Sequence, residues 1–589
     1  MEGERTPLLR KPSPIGSSPN LATQSSGLQW DPVRGTKAAT CVLLALTLER
    51  LAYYALLANL LVFLSLGGNT PKEAMTAVLV VGAIAHFSAL GGGWLADGAL
   101  GRYWTLILGL GLYVIGFAML TAVAGGILWS NTHASLPQLY IIFTCIGVAA
   151  GTVRANFPSF GAEQVRHGGG ESVRKFFNWY YWCVNSGSLL GVGFLSLVAQ
   201  EPATVAGGFL AAWGGAGAGV TLALVLLAVG KPYYVIYRPG SSPLLSTLRI
   251  LHQGISGCWN LRKSNLQRHG GGISRSPALS SRSNPNPVNS PSWLDYAKMR
   301  YGGSHHDSTV EDVKKLGSVL LLLLLLLPYW LVFFQIETGF QEQGVHLKIG
   351  LAPDNTFNIP TSWLSLFDQL FILGLIPLLN GFVYPALDRR GVRVTLFGRI
   401  AVGMALSLCA AVSAGLLETI SMQHWHDGHH VEQIIHNRKY NSSDVSVLWQ
   451  VPQYCLVGMA EVFAGVAGLE YVYSTAPKPL QAVAMGLLSA VEGIGSLLGT
   501  ALIGALSPAW IPQDRDHFQG HLDYYFFLLA GIQGVTLVGF TISLIIKRGS
   551  NSRTAALPDS SRISNLSQTP NSRSSGTTVS SSTNTVLSS

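Results

Sequence analysis

Long apolar stretches separated by short polar connections dominate the chain. Twelve stretches can be separated, each roughly 20–29 residues long and therefore able to cross a hydrocarbon core of about 30 Å as a helix. In chain order they are Ala38–Leu66, Ala74–Ala96, Trp104–Leu128, Leu139–Ser159, Phe177–Val198, Val205–Ala228, Leu316–Ile336, Trp363–Tyr384, Thr395–Leu417, Val447–Tyr473, Ala482–Leu506 and Tyr524–Ile546. The pattern predicts an all-α integral membrane protein with twelve transmembrane helices.

A long polar segment divides the spans into two sets of six. The expected organisation is a cytosolic tail at 1–36, a six-helix bundle at 37–230, a linker at 231–315, a second bundle at 316–547 and a tail at 548–589. Two such bundles place a solute site between them near the membrane midplane. Ser, Asn, Pro and Gly crowd the linker from Asn265 to Ser292, and Ser, Thr and Asn crowd the tail beyond Gly549, so both are expected to be disordered.

Composition and charge agree with a membrane location. Hydrophobic residues make up 48% of the chain and charged residues 11%, whereas about a quarter of a soluble domain is charged. The net charge of +9 is concentrated in the linker, where 12 Lys and Arg stand against 4 Asp and Glu between Lys231 and Lys315. Basic loops between spans mark the cytosolic side of a membrane, so the charge does not indicate nucleic-acid binding.

The distribution of cations sets the predicted orientation. With both termini in the cytosol, the connections on that side carry Arg102, Arg166, Arg174, Lys175, Arg389, Arg390 and Arg393. The opposite connections are poor in Lys and Arg, with Arg438 and Lys439 the main exceptions. The N-glycosylation sequon at Asn441 falls in the ninth connection, which this topology makes lumenal.

The same lumenal connection is rich in histidine. His424, His426, His429, His430 and His436 could bind zinc or respond to lumenal acidity, or could simply belong to a solvated loop. We adopt the solvated loop and predict no metal site. The six cysteines form no zinc-like pairs and no visible disulfide framework.

The first residues contain a candidate sorting signal. Glu4 stands four places before the pair Leu8-Leu9, a pattern that resembles the acidic dileucine signal read by sorting adaptors. The segment 1–36 is polar and lacks an early apolar stretch of the signal-peptide kind. Together these features predict a multi-pass protein of endosomal or lysosomal membranes, with sorting adaptors as partners.

The loop between the second and third spans matches a superfamily motif. Gly93, Asp97, Gly101 and Arg102 fit the G-x-x-x-D-x-x-x-G-R loop of the major facilitator superfamily. Glycine permits a tight turn, and Asp97 is able to cap a helix start and pair with a cation on a neighbouring helix. A weaker echo, Asp388-Arg-Arg-Gly391, occurs between the eighth and ninth spans.

Ionisable residues inside apolar spans are the main functional signal, because they are costly in a membrane and usually face a cavity. They are Glu49, Arg50, His86, Arg154, Glu337, Asp368, Glu461, Glu470 and Glu492. Glu337 could instead end its span, and Glu461 or Glu492 could be helix–helix hydrogen-bond partners.

The remaining charges are divided between the two bundles by sign. Arg50 and Arg154 lie in the first, and Asp368 and Glu470 lie in the second. A zwitterion could bridge them with its carboxylate on the arginines, whose planar fork suits carboxylates.

At these residues the chain resembles the proton-coupled oligopeptide transporter family and, within it, the peptide/histidine transporter branch. The matching segments are Leu48 to Tyr54, Gly151 to Gln164, Phe177 to Gly187, Trp449 to Tyr454 and Gly468 to Pro477. The resemblance implies a proton-coupled symporter that moves free histidine and di- and tripeptides from lumen to cytosol, with protons as coupling ion and no other cofactor.

The resemblance also implies roles for individual residues. Arg50 and Arg154 would hold the substrate carboxylate, and Glu470 would accept its amine. The cleft would also be lined by Tyr53, Tyr54, Asn185 and Asp368.

Three positions depart from the family pattern. Leu46 stands where the first acid of the E-x-x-E-R signature is expected, His86 replaces a tyrosine, and Phe334 stands where many peptide carriers have an acid. Glu49, His86 and Asp368 therefore become the candidate proton carriers, since histidine titrates in an acidic lumen.

Other functions were weighed against this one. A transceptor would have the same fold but would act mainly through a cytosolic signalling adaptor bound to the linker or tails, and the missing acid at Leu46 slightly favours it. A carrier of another anion, such as nitrate, has no use for a carboxylate at Glu470. An enzyme is not indicated, because no nucleophile–base set or cofactor loop stands out.

Overall fold

The computed structural model describes most of the chain outside its two ends. The described residues are 32–126, 136–200, 205–240, 243–270, 292–350, 359–392, 394–435, 438–477, 480–507, 509–511 and 517–556. The dileucine segment with Glu4, Leu8 and Leu9 lies outside them. A first compact unit extends to Leu537, and a second, from Val538, is helical as far as Ala556.

The first six spans are long single helices. Their bounds are Pro32–Leu66, Pro71–Leu100, Arg102–Ala124, Pro137–Gly168, Glu171–Ala199 and Gly207–Val229, which we call spans 1 to 6. Span 1 begins six residues before the predicted Ala38, because the polar turn from Pro32 is also helical.

Spans 7 to 12 form the second set. Span 7 is a pair of helices, Asp307–Leu325 and Leu327–Val345, bent by 44°. Spans 8 to 12 are Thr361–Arg389, Leu396–His426, Val447–Thr475, Val483–Leu506 and Leu522–Ile546. Eleven single helices and one bent pair confirm the predicted twelve-helix architecture within the described residues.

The predicted bounds of span 7 are wrong at both ends. It was expected at Leu316–Ile336, but its polar continuation Gly339–Val345 is also helical and buried. The reason is non-local hydrogen bonding: the Gln343 amide donates to Ala414 O at 3.0 Å and to the Glu418 carboxylate at 2.9 Å. Glu337 therefore lies inside the span rather than at its end.

Small residues bring the helices of the first bundle close together. Span 4 packs against spans 2 and 3, and span 1 packs against spans 5 and 6. A Cβ built on Gly151 would lie 2.1 Å from Ala85 O, and one on Gly187 would lie 2.4 Å from Thr47 O. Glycine is thus required at these crossings, as in other membrane helix pairs.

Contacts between helices join the two bundles. Span 2 packs along span 11, where the Ser496 hydroxyl donates to Leu79 O at 2.6 Å. Span 5 meets span 8, where the Trp363 indole donates to Gly193 O at 2.9 Å. These contacts leave the inward-facing charges of spans 1, 4, 8 and 10 between the bundles.

The linker contains an ordered helix, Pro243–Gly270, which we call the linker helix. It includes Asn265 to Gly270, where disorder was expected; residues 271–291 lie outside the described part of the chain. It packs against the short 3₁₀ turn Trp293–Ala297.

Buried ion pairs fix this turn to the start of span 7. Lys298 is 1% exposed and contacts Asp295 and Glu311, and the Lys314 ammonium lies 2.7 Å from Asp295. Partial burial raises the pKa of Asp295. The hydrogen bonds from Lys298, Lys314 and the Ser292 N–H together lower it by more, so that the pKa is about 2. The carboxylate therefore stays ionised at physiological pH.

The histidine-rich connection is a β-hairpin rather than an irregular loop. Strand β1 (His430–Ile435) pairs antiparallel with β2 (Arg438–Ser443), and Asn441 is exposed opposite Glu432. The Gln433 amide donates to Val345 O at 2.8 Å and to Leu347 O at 2.9 Å. These bonds hold the hairpin against the end of span 7.

Candidate solute site between the bundles

Arg50 and Glu49 form an ion pair inside span 1. The Arg50 Nε lies 2.6 Å from Glu49 Oε2 and its Nη2 lies 2.7 Å from Oε1. Both residues are almost completely buried. A bidentate pair of this kind offsets the cost of burying two charges, so Glu49 neutralises Arg50 and orients its guanidinium.

Tyr53 lies beside both predicted carboxylate-binding arginines. The guanidinium carbon of Arg50 is 5.0 Å from the centre of its ring, and that of Arg154 is 5.9 Å away. Tyr54 meets the same ring edge-on, with centroids 5.5 Å apart. Cation–π contact with one buried ring lets two like charges approach each other. The structure therefore brings together four of the predicted site residues: Arg50, Arg154, Tyr53 and Tyr54.

His86 connects Arg154 to the second bundle. Its Nδ1 lies 3.4 Å from Arg154 Nη1, 2.9 Å from Glu492 Oε2 and 3.3 Å from the Ser489 hydroxyl. A protonated Nδ1 donates to the carboxylate, whereas an unprotonated Nδ1 can accept a hydrogen bond from the guanidinium. One nitrogen atom therefore has two alternative partners, and the proton decides between them.

The position of Glu492 agrees with the alternative interpretation that it is a helix–helix hydrogen-bond partner. Ser489, Glu492 and Ser496 lie on one face of span 11, at i, i+3 and i+7, and all contact span 2. This polar stripe in an otherwise apolar helix is the feature of the sequence that could have indicated the contact with span 2.

Carboxyl groups of the second bundle lie close enough to Arg154 to interact with it electrostatically. Glu337 and Glu461 both interact electrostatically with Arg154. Asp368 interacts with the same two glutamates and is 7% exposed. Within the described residues its Oδ1 has no hydrogen-bond partner, so the buried carboxyl has capacity to bind a proton or a cationic group.

The chain around Asp368 is closely packed. A Cβ on Gly458 of span 10 would lie 2.8 Å from Asp368 Oδ1. Three residues further along, Glu461 begins a π-helical turn, Glu461–Gly465. Such turns re-aim side chains and are frequent at functional sites.

Glu470 and Asn185 have partners of their own. The Arg399 guanidinium of span 9 donates to Glu470 Oε2 at 2.8 Å, and the Glu470 side chain is 29% exposed. The Asn185 amide donates to Tyr181 O at 2.8 Å. The sequence analysis did not consider Arg399, although it falls within the predicted ninth span.

The motif between spans 2 and 3 forms a separate charged cluster. Arg102 contacts the Glu163 carboxylate and lies 3.3 Å from Asp97 Oδ1. Gly101 has φ of +81° and precedes the span 3 helix without a side-chain cap. Asp97 thus pairs with a cation on the next span, as expected, but does not cap it.

The fold and this buried, charged site between two six-helix bundles define a membrane transporter of the major facilitator type, not an enzyme. A family model described as "POT family" matches residues 103–512. The chain therefore belongs to the POT family.

Related proteins agree with this assignment. Solute carrier family 15 member 3 from Rattus norvegicus is 31% identical over 90% of this chain and 94% of its own. NRT1/PTR family protein 8.1 from Arabidopsis thaliana is 28% identical over 85% of this chain and 91% of its own.

Solved structures show the same fold. The POT family transporter PepTSo superimposes with a TM-score of 0.65 at 20% identity, covering 87% of this chain and 98% of its own. An auto-inhibited POT family peptide transporter gives 0.64 at 21% identity, covering 86% and 96%.

Proposed function

We propose that the protein is a proton-coupled symporter that carries free histidine and di- and tripeptides from the lumen of endosomes and lysosomes to the cytosol. The observation that carries the proposal is that Arg50 and Arg154 both lie beside Tyr53, with a carboxyl group of the second bundle, that of Glu337, close enough to interact electrostatically with Arg154. Membership of the POT family supports a peptide substrate.

The substrate carboxylate binds primarily to Arg154. Arg50 already makes two hydrogen bonds to Glu49, whereas the one side-chain hydrogen bond of Arg154 among the described residues is the exchangeable contact to His86 at 3.4 Å. The planar fork of Arg154 is therefore the available anion site, and Tyr53, Tyr54 and Asn185 form the walls around it.

The substrate amine binds to the second bundle. Glu470 is the position that the family resemblance indicates, and Asp368 contributes a second carboxyl group, which is buried. A short peptide carries its carboxylate and its amine at opposite ends, and free histidine carries both groups on one carbon. Both substrates can therefore engage a cation and a carboxyl group together, which a simple anion cannot do.

His86 couples the proton to the substrate. When His86 binds a proton at Nδ1, it donates to Glu492 and no longer accepts from Arg154. Arg154 is then free to bind the substrate carboxylate. Proton and substrate thus bind together in an acidic compartment, and loss of the proton in the cytosol lets Arg154 return to His86.

The proposed location is supported by the dileucine pattern with Glu4, Leu8 and Leu9, by the predicted cytosolic orientation of both termini, and by the exposed glycosylation sequon at Asn441. In this arrangement the hairpin faces the lumen and the linker faces the cytosol.

The test uses a Leu8→Ala, Leu9→Ala variant, which should reach the plasma membrane. Uptake of labelled histidine and of a labelled dipeptide is compared at an external pH of about 5.5 and about 7.5, a range in which histidine changes charge. Greater uptake at acidic pH is expected. Surface-located protein without uptake at either pH would refute transport and favour the transceptor, which is then examined by capture of a partner that requires the linker.

A further inference from the structure

The outward face of the linker helix is unlike the surface of a helix in water. Its exposed positions from Leu245 to Trp259 fall within one arc of the helix. Four carry large apolar side chains: Leu245 is 38% exposed, Leu248 52%, Ile255 59% and Trp259 67%. The other two are Arg249 and His252.

The opposite face explains why this arrangement is stable. Thr247, Ile250 and Gly254 are buried, and a Cβ on Gly254 would lie 3.2 Å from Leu294. The helix thus uses its inner face to pack on the turn Trp293–Ala297 and presents a second apolar face outward. The adjoining segment also exposes large apolar side chains, those of Trp293, Met299 and Tyr301, at 45%, 61% and 44%.

The linker helix lies between the two sets of spans in the chain. It begins at Pro243, fourteen positions after span 6 ends at Val229. Its packing partner ends close to Asp307, where span 7 begins, and Lys298 is paired with Glu311 of that span. The linker helix is therefore held beside the start of span 7, and it also contacts span 11.

We propose that the face formed by Leu245, Leu248, Arg249, Ile255 and Trp259 lies in the bilayer interface and binds anionic phospholipid. Apolar side chains with Trp enter the headgroup boundary, and interleaved basic residues select negative lipids. The excess of Lys and Arg over acids in the linker supplies the matching long-range charge. Binding would make the position of the linker helix depend on the lipid composition of the membrane. Because the linker connects the two bundles, that connection would depend on lipid composition too.

The experiment uses the full chain in nanodiscs of phosphatidylcholine, with or without phosphatidylserine. The native cysteines are replaced, and an environment-sensitive fluorophore is attached at Trp259→Cys. Phospholipids brominated on their acyl chains should quench it, more strongly with phosphatidylserine present, and added salt should weaken that difference.

Arg249→Gln tests the charge, and Gln253→Glu is its matched control. Both lower the net charge by one, but Gln253 lies beside the apolar face, where its Oε1 accepts from Ser304. We expect Arg249→Gln to reduce the phosphatidylserine preference about fivefold and Gln253→Glu to leave it nearly unchanged.

The outcomes separate the possibilities. An unquenched label in both membranes would overturn the proposal and leave the face for a protein partner. Equal quenching with and without phosphatidylserine, unaffected by Arg249→Gln, would overturn the lipid selectivity. A second label at Ile255→Cys must behave like the first, because both positions lie on the same face; disagreement would mean that the label, not the helix, enters the lipid.

Discussion

Replacing Glu492 by glutamine tests the proposed coupling most directly. The substitution keeps the shape of the side chain but removes the charge that lies 2.9 Å from His86 Nδ1. Arg154, at 3.4 Å from the same nitrogen, then becomes the nearest charged group to the imidazole, and it opposes protonation.

The expected magnitude follows from this geometry. An opposite charge at this distance changes a protonation equilibrium by about one to three pH units. Loss of the carboxylate makes protonated His86 less stable, so more acid is needed to form it. The midpoint of acid-stimulated uptake should therefore move to lower pH by about one unit or more.

The assay is uptake of a labelled dipeptide against external pH, measured with the surface-directed Leu8→Ala, Leu9→Ala background. His86→Gln is the companion variant, and its uptake should lose most of its acid stimulation. An unchanged midpoint in Glu492→Gln, with normal surface expression, would refute the role of the pair. A uniform fall in uptake at every pH would mean that Glu492 only packs spans 2 and 11.

Three further predictions concern the ion pairs and the packing. Glu470→Gln should abolish dipeptide uptake, because the substrate amine loses a charged partner. Glu49→Gln leaves Arg50 buried without its carboxylate and should destabilise the purified protein by about 3–5 kcal/mol, measured as a lower thermal midpoint. Gly151→Ala should also lower the midpoint, because the added Cβ would lie 2.1 Å from a backbone oxygen of span 2.

Each has a control. If Glu470 serves only to neutralise Arg399, the double variant with Arg399→Gln will transport, which would contradict amine binding. Replacing both Glu49 and Arg50 by glutamine should recover stability without uptake. Gly111→Ala is matched to Gly151→Ala, since nothing lies within 4 Å of its Cβ, and alanine favours a helix by about 1 kcal/mol; equal destabilisation of both would refute the packing argument.

Most of the fold could be predicted because hydropathy is a local property of each span. The wrong predictions lie where contacts between residues distant in the chain determine the local structure. Gln343 is polar enough to suggest a loop, yet Ala414 and Glu418 satisfy it inside the second bundle. The linker helix was missed because the Ser- and Pro-rich residues that follow it concealed the helical spacing of Leu248, Ile255 and Trp259.

The site could be predicted in its parts but not in its pairings. A charge inside a span marks a functional position wherever its partner lies, which is why Arg50, Arg154 and His86 were found. The pairing of His86 with Glu492 joins spans 2 and 11, and that of Glu470 with Arg399 joins spans 9 and 10. No sequence spacing specifies such contacts, because the packing of the helices creates them.

The internal pairing of Glu49 with Arg50 has an electrical consequence. These two charges cancel within one helix, so their movement with the first bundle carries no net current. Under the proposed symport, a neutral zwitterion accompanied by one proton would then transfer one positive charge per cycle. Membrane voltage would in that case be a driving force alongside the proton gradient, at about 2.3 kcal/mol for every 100 mV.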